Sequence, residues 1–250
     1  DSASAEINDL VFSGLVKFDK NLNLTGDLAE KWEIKDGGLI IIFYLKKNVK
    51  WHDGAPFTAK DVKFTYDIYM APETKTAYRS LFEPVKNVIV IDDYTVKVNY
   101  KKPFAPALQY WGTGILPSHL LEDKDINTAV FNRAPVGTGP YTFKNWKTGR
   151  SVELMANKDY FDGAPYISNY LFRIIPDQSV QFMNLQAGSL DMMTLSSDLY
   201  FTKANTEDFN KKFNKYIVPA FQYTYIGYNQ NNPLFAPVKI RQALSYAINT

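Results

Sequence analysis

Trp51-His52-Asp53-Gly54-Ala55-Pro56-Phe57-Thr58-Ala59-Lys60-Asp61-Val62 is the stretch on which the reading of this chain turns. Asp53-Gly54 is a turn pair, because glycine takes positive φ without steric cost and aspartate tolerates tight corners. Pro56 cannot continue a strand ladder, and it pushes Ala55 into an extended conformation. Thr58 followed by Asp61 has capping-box spacing, with an acid suited to the positive end of a helix dipole. A helix is therefore predicted from Ala59, with Val62, Tyr66 and Tyr69 on one face. The stretch is a corner, and nothing in it is catalytic by itself. His52 reads as a turn histidine that hydrogen-bonds locally, not as a ligand.

Outward from the corner, the pattern alternates between hairpins and helices. Residues 32–34 and 39–45 flank Lys35-Asp36-Gly37-Gly38, a hairpin signal, and the continuous apolar run of the second strand predicts burial on both faces. Residues 87–91 and 94–100 form a second hairpin around Asp92-Asp93, with strict alternation in Thr95-Val96-Lys97-Val98-Asn99-Tyr100. Before the corner, residues 7–16 have helical spacing with Gly14 as a C-cap. Residues 103–117 read as a short helix and loop, and Gly137-Thr138-Gly139-Pro140-Tyr141 marks a domain boundary. A third hairpin joins 141–146 to 152–156. A strand at 171–175, a helix capped by Asp177 and stopped by Gly188, and a strand at 190–195 favour parallel pairing. Residues 198–214 are polar and helical in parts, 221–229 are extended, and 238–248 form a helix. The sum is a mixed α/β protein of at least two lobes.

With 250 residues and 46% hydrophobic content, the chain can bury a sizeable core. A formal net charge of +2, with scattered lysines, gives no footprint for nucleic acid. The absence of cysteine removes disulfides, thiol catalysis and cysteine zinc sites. The longest apolar run, residues 39–45, is too short to span a bilayer. The chain opens without Met and closes on a helix-like pattern, which is the look of a fragment of something longer.

Enzyme motifs are missing. Gly137-Thr138-Gly139 is too short for a dinucleotide fingerprint, and neither a phosphate loop ending in Lys-Ser/Thr nor a Gly-x-Ser-x-Gly elbow occurs. Only His52 and His119 are present, too little for a histidine metal site. Acids are plentiful enough for a glycosidase-type carboxylate pair, but a solvated surface is the preferred reading. Aromatics make up 15% of the chain. Phe43, Phe64, Phe143 and Phe172 read as core, whereas Tyr78, Tyr110, Trp111 and Tyr200 lie in loop-like positions suited to lining a cleft.

Several segments together resemble one family. They are Leu28-Ala29-Glu30-Lys31-Trp32-Glu33, the run from Leu45-Lys46-Lys47-Asn48-Val49-Lys50 into the opening stretch, and Gly137-Thr138-Gly139-Pro140-Tyr141. Asn157-x-x-Tyr160-Phe161-x-Gly163, Gly188-x-x-Asp191 and Val238-x-x-Arg241-Gln242-Ala243-Leu244-x-Tyr246-Ala247-Ile248 follow. In this order they look like the extracellular solute-binding proteins of bacterial ABC importers, in the oligopeptide, dipeptide and nickel class. The resemblance implies an α/β, periplasmic-binding-protein type II-like fold with mixed sheets and an inserted α+β domain. It implies a first lobe from residues 1–13 and 139–237, an inserted domain at 14–138, and the start of a second, truncated lobe at 238–250.

For function, the resemblance implies a monomeric, extracytoplasmic receptor, periplasmic or a cell-surface lipoprotein. It would need no cofactor or catalysis, and its partners would be a peptide or small-molecule ligand and a membrane permease. Oligosaccharide or metal-chelate binding and peptide-sensing signalling remain open beside peptide uptake. The matching ligand positions are Asp1, Ser2, Tyr78, Trp111, Thr113, Thr194, Leu195, Ser196 and Gly227. Tyr78 is the favoured contact. Gly227 stands where peptide binders can carry an acid, a contact that glycine cannot supply.

Overall fold

A computed structural model describes residues 2–217 and 225–248. The first two sheets follow from local turn chemistry. Val16–Phe18 (β1) and Leu24–Gly26 (β2) form a two-stranded ribbon. Ala29–Lys35 (β3) turns back through residues 36–38 onto Ile40–Leu45 (β4), with Trp32 opposite Phe43. Val85–Asp92 (β5) and Thr95–Tyr100 (β6) form the other expected hairpin, and β6 pairs β4, giving the order β3-β4-β6-β5. Alternation decides the faces. Val96, Val98 and Tyr100 of β6 are buried, as are Ile41, Phe43 and Leu45 of β4. The expectation that β4 is buried on both faces is corrected: its other residues are only half-buried, because one side of the sheet lacks a full covering layer.

The helix after the corner runs over Ala59–Met70 (α2) and lies against β5 and β6. Its start is locked as the capping signal requires. Asp61 Oδ2 accepts from Thr58 N–H at 2.9 Å, while Oδ1 accepts from both Ser118 N–H at 2.9 Å and Ser118 Oγ–H at 2.7 Å. Asp61 is thus a buried carboxylate with three donors, which removes the cost of burying it unpaired. Short helices at Arg79–Phe82 (α3) and Ser118–Leu121 (α4) complete this layer. Phe43, Phe57, Val62, Phe82 and Trp111 pack into one apolar cluster with the sheet.

Tyr141–Lys147 (β7), Ser151–Ala156 (β8) and Asn169–Arg173 (β9) form a third, wholly antiparallel sheet, which packs through Val152 and Leu154 on Val11. Val11 ends the first helix, Ser2–Val11 (α1). The helix predicted over 7–16 therefore starts and stops earlier, and Val16 begins β1. Gly14 is no C-cap: a Cβ there would lie 2.5 Å from the Gly112 carbonyl carbon, so the glycine permits backbone to approach backbone. Gln178–Gln186 (α5) is capped by Asp177, which accepts from Val180 N–H at 2.8 Å, and Gly188 follows at φ +73° as expected. The strand expected at 190–195 is absent. That segment has no ladder partner among the described residues, and extended chain without a partner is not a strand. The proposed parallel pairing falls with it.

The chain divides into two compact units, Asp1–Leu195 and Ser196–Thr250. In the second, Ser197–Thr202 (α6), Glu207–Lys212 (α7) and Val238–Tyr246 (α8) are helical, with Ser196 and Thr206 capping the first two. The extended segment expected at 221–229 lies partly outside the described residues. Among the described residues no helix is long and apolar enough to cross a membrane.

Gly137 and Gly139 lie against the end of the first helix, inside the first unit. Gly139 N–H donates to Val11 O at 2.9 Å, and a Cβ on Gly137 would fall 1.8 Å from the same oxygen. Gly137→Ala must therefore displace backbone, and is expected to cost about 3 kcal/mol or more. Gly149, at φ +70° with no atom near its missing Cβ, gives the contrast. Gly149→Ala is expected to cost only about 1–2 kcal/mol, the ordinary penalty of left-handed backbone. Urea denaturation of both variants checks this; equal losses would deny the close approach any special weight.

Candidate functional site

Tyr78 follows α2 by a short loop and starts α3. It is 43% exposed, yet its ring lies on Tyr69 at 5.6 Å between centroids. Tyr69 stacks on Phe82 at 5.5 Å, Phe82 meets Trp111 edge-on at 5.1 Å, and Trp111 meets Phe43 at 5.9 Å. A chain of rings thus runs from the surface to the centre of the sheet. Each such pair contributes about 0.5–1.5 kcal/mol beyond its buried area. Tyr78 is a surface aromatic with a core foundation, able to offer a flat apolar face and a hydroxyl to a bound molecule.

The other expected positions separate by burial. Trp111 is 1% exposed, and its indole N–H donates to Tyr100 Oη at 3.0 Å. It is corrected from a cleft-lining residue to a core one: no face of the ring is left for a ligand. Thr113, two residues on, is half-buried and accessible. Thr194 is exposed, Leu195 half-buried, and Ser196 Oγ accepts from Leu199 N–H at 3.4 Å, spending that oxygen on the α6 cap. Gly227 is exposed, with Tyr225 at 3.5 Å the nearest neighbour of its missing Cβ. Asp1 and the side chain of Ser2 lie outside what is described. Of the four aromatics read as cleft-lining, Tyr110 packs on Phe104 at 5.4 Å, and Tyr200 lies under Lys215 at 5.0 Å. In the second unit an open hollow of about 400 Å³ runs along α8 beside Tyr228, Arg241 and Tyr246. There Arg241 is already committed to Phe235 O at 2.6 Å and Ala236 O at 2.7 Å.

The polar clusters are braces. Ser118, His119 and Asp53 come close enough to suggest a nucleophile with its base. Ser118, however, gives its proton to buried Asp61, and His119 Nε2 meets Asp53 Oδ2 at 2.7 Å. Burial works to raise the Asp53 pKa, but the His119 and Ala55 hydrogen bonds prevail and hold it low. Lys17 bridges Asp162 at 2.6 Å and Asp27 at 3.3 Å, so these carboxylates share a cation rather than a proton. Burial raises Asp27 against the pull of Lys17, whereas Asp162 is held low by Lys17. No group of three or more metal-ligating side chains occurs among the described residues.

His52 differs from its reading as a local turn residue. Its N–H donates to Gly137 O at 2.9 Å, Nδ1 accepts from Gly137 N–H at 3.1 Å, and Nε2 lies 2.9 Å from Gly139 O. An acceptor Nδ1 leaves the proton on Nε2, so His52 is the neutral tautomer and staples the corner to the distant glycines. Asn157 Nδ2 donates to the same Gly139 oxygen at 3.2 Å. Sequence spacing held no signal for these bonds, which span more than eighty residues.

A family model described as bacterial extracellular solute-binding proteins, family 5 Middle, matches residues 23–250. The chain is 39% identical to the oligopeptide-binding protein AppA of Bacillus subtilis, across 100% of its own length and 46% of that protein's. The structure of the oligopeptide-binding protein AppA from Bacillus subtilis, in complex with a nonapeptide, superposes with TM-score 0.86 at 36% identity, over 99% of this chain and 50% of that chain. NikZ from Campylobacter jejuni, in complex with Ni(L-His), superposes with TM-score 0.83 at 33% identity, over 96% and 48%. The chain spans about half the length of the relatives it matches.

Burial, the largest influence on His52, lowers its pKa against the opposing Gly139 carbonyl and Asp53. The unfolded chain takes up this proton at the ordinary histidine value of about 6.5, while the folded chain resists it. The native staple therefore stabilises fully above that pH, and its contribution is lost as pH falls toward the lower folded value. Stability is expected to drop more steeply between about pH 7.5 and pH 5.5 in the parent than in His52→Gln. Urea denaturation at both pH values measures it; parallel slopes would contradict a neutral, half-buried His52.

Proposed function

This chain belongs to the bacterial extracellular solute-binding proteins of family 5, and on that premise we propose that it is part of a peptide receptor of an ABC importer. The observation that carries the reading is its likeness, along its whole length, to an oligopeptide-binding protein solved with a nonapeptide. The receptor works outside the cytoplasm, periplasmic or held at the cell surface as a lipoprotein. Residues 1–13 and 139–237 form the first lobe, 14–138 an inserted domain, and 238–250 the start of the second lobe. The two lobes close on the solute by hinge motion and present it to a membrane permease. Binding, not bond-making, is the task, and the commitment of Ser118 and the shared carboxylates to internal bonds supports a non-enzymatic role.

Tyr78 is the principal contact of the inserted domain. Thr113, Thr194, Leu195, Ser196 and the Asp1-Ser2 segment contribute beside it. A rigid ring held at the surface gives contact area at low entropic cost and accepts varied peptide side chains. Gly227 supplies no carboxylate for a peptide amino terminus, so a charged contact there comes from elsewhere. A metal-chelate cargo is the second reading, favoured by the likeness to a protein solved with Ni(L-His). With no cluster of metal-ligating side chains among the described residues, such a metal would arrive already chelated.

Titration calorimetry of the full-length protein against a randomised nonapeptide pool and against nickel–histidine separates the two. A peptide is expected to bind at micromolar or tighter affinity, and Tyr78→Ala to weaken it about tenfold with little change in melting temperature. Binding of the chelate alone would replace the peptide reading; turnover of either compound would end the receptor reading.

A further inference from the structure

The loop that carries Tyr78 is held by a residue that no motif singled out. Arg79 sends Nη2 to Ala71 O at 2.6 Å, Thr74 O at 2.8 Å and Pro72 O at 3.3 Å, and Nε to Tyr69 O at 3.3 Å. Four carbonyls on one guanidinium take up the end of α2 and the turn after it. A planar fork does this without an acceptor of its own and without losing its charge. The carbonyls at a helix C-terminus carry partial negative charge, which a cation there offsets.

The loop is braced from outside as well. Asn127 Oδ1 accepts from Lys75 N–H at 2.8 Å, and its Nδ2 donates to Glu73 O at 3.1 Å. Thr74 is buried at 7% exposure, and Tyr78 N–H donates to Thr76 Oγ1 at 3.1 Å. The backbone from Ala71 to Lys75 and the Tyr78 N–H are thus tied down, while the Tyr78 ring rests on Tyr69 and the residue is 43% exposed. Arg79 binds the carbonyl of that same Tyr69, so one guanidinium fixes both the backbone leading into Tyr78 and the helix end that supports its ring.

We infer that Arg79 is a positioning residue for Tyr78, holding its ring at a set place on the surface for a bound solute. The role in binding rests on the receptor reading above; the placing of the ring does not. A helix cap alone would also explain the four bonds, and the two accounts diverge when Tyr78 is removed. If Arg79 only stabilises the helix end, its loss affects binding equally with or without Tyr78. If it acts through Tyr78, its effect disappears with the ring.

The test uses the full-length protein with fluorotyrosine at position 78. Arg79→Gln, and Arg79→Lys in case the first variant folds poorly, are expected to move the fluorine resonance toward that of the free amino acid. Lysine keeps the charge but cannot reach four carbonyls, so its resonance moves too. An unmoved resonance in a folded variant overturns the inference. In the second arm, the tightest-binding member of a randomised nonapeptide pool is titrated into parent, Arg79→Gln, Tyr78→Ala and the double variant. Arg79→Gln is expected to weaken binding about tenfold in the parent and hardly at all in the Tyr78→Ala background. Equal losses in both backgrounds overturn the positioning role. Should Tyr78→Ala leave affinity unchanged, or no peptide bind, the proposed contact fails, and the fluorine shift still decides whether Arg79 places the ring.

Discussion

The carbonyl of Val11 is the point on which the first unit depends. It ends the first helix, accepts from Gly139, and leaves no room for a side chain at Gly137. His52 bonds both glycines and Asn157 bonds Gly139, so four separate parts of the chain meet here. Such a junction is close-packed backbone rather than side-chain core. It has no rotamers with which to absorb a change, and its hydrogen bonds are made or lost together. Around it, the antiparallel sheet of β7–β9 rests on Val11, while the corner after Trp51 leads into α2 and the four-stranded sheet.

What could be read from the sequence was local. Thr58 and Asp61 lie three residues apart, so their capping box needs no knowledge of the fold; Asp177, Gly188 and the three hairpin turns are legible for the same reason. The second partner of Asp61, Ser118, was not, because spacing carries nothing across that distance. Gly14 shows the limit of a local rule: a glycine after a helical pattern suggests a cap, yet here its use is approach to Gly112. The segment 190–195 has the composition of a strand, but a strand also needs a partner. Trp111 was misplaced because an aromatic between Pro and Gly residues looks like loop, whereas the fold turns it into the apolar cluster.

The site was legible to a different degree. Tyr78 stood out as one of four aromatics in loop-like positions, and the family-wide pattern separated it from the other three; the fold leaves it 43% exposed. Arg79, next to it, left no trace in periodicity or motif, since its partners are main-chain carbonyls that every residue type offers. The polar clusters teach the converse. Ser118, His119 and Asp53 would attract a search for catalysis by residue type, and their hydrogen bonds instead account for each as a structural tie.

The ring chain from Tyr78 to Phe43 has a consequence for how such a protein can change over generations. Its members differ sharply in what a substitution disturbs. Trp111 and Phe82 are sealed in the core, where losing a ring leaves a cavity of several kcal/mol. Tyr78 is the terminal link, open on one side, and its loop is held through backbone atoms by Arg79 and Asn127. Replacing it empties no interior space and breaks none of those ties. The residue type at this position can therefore vary with little effect on the folded frame, so the chemistry this corner shows to solvent is decoupled from the packing beneath it.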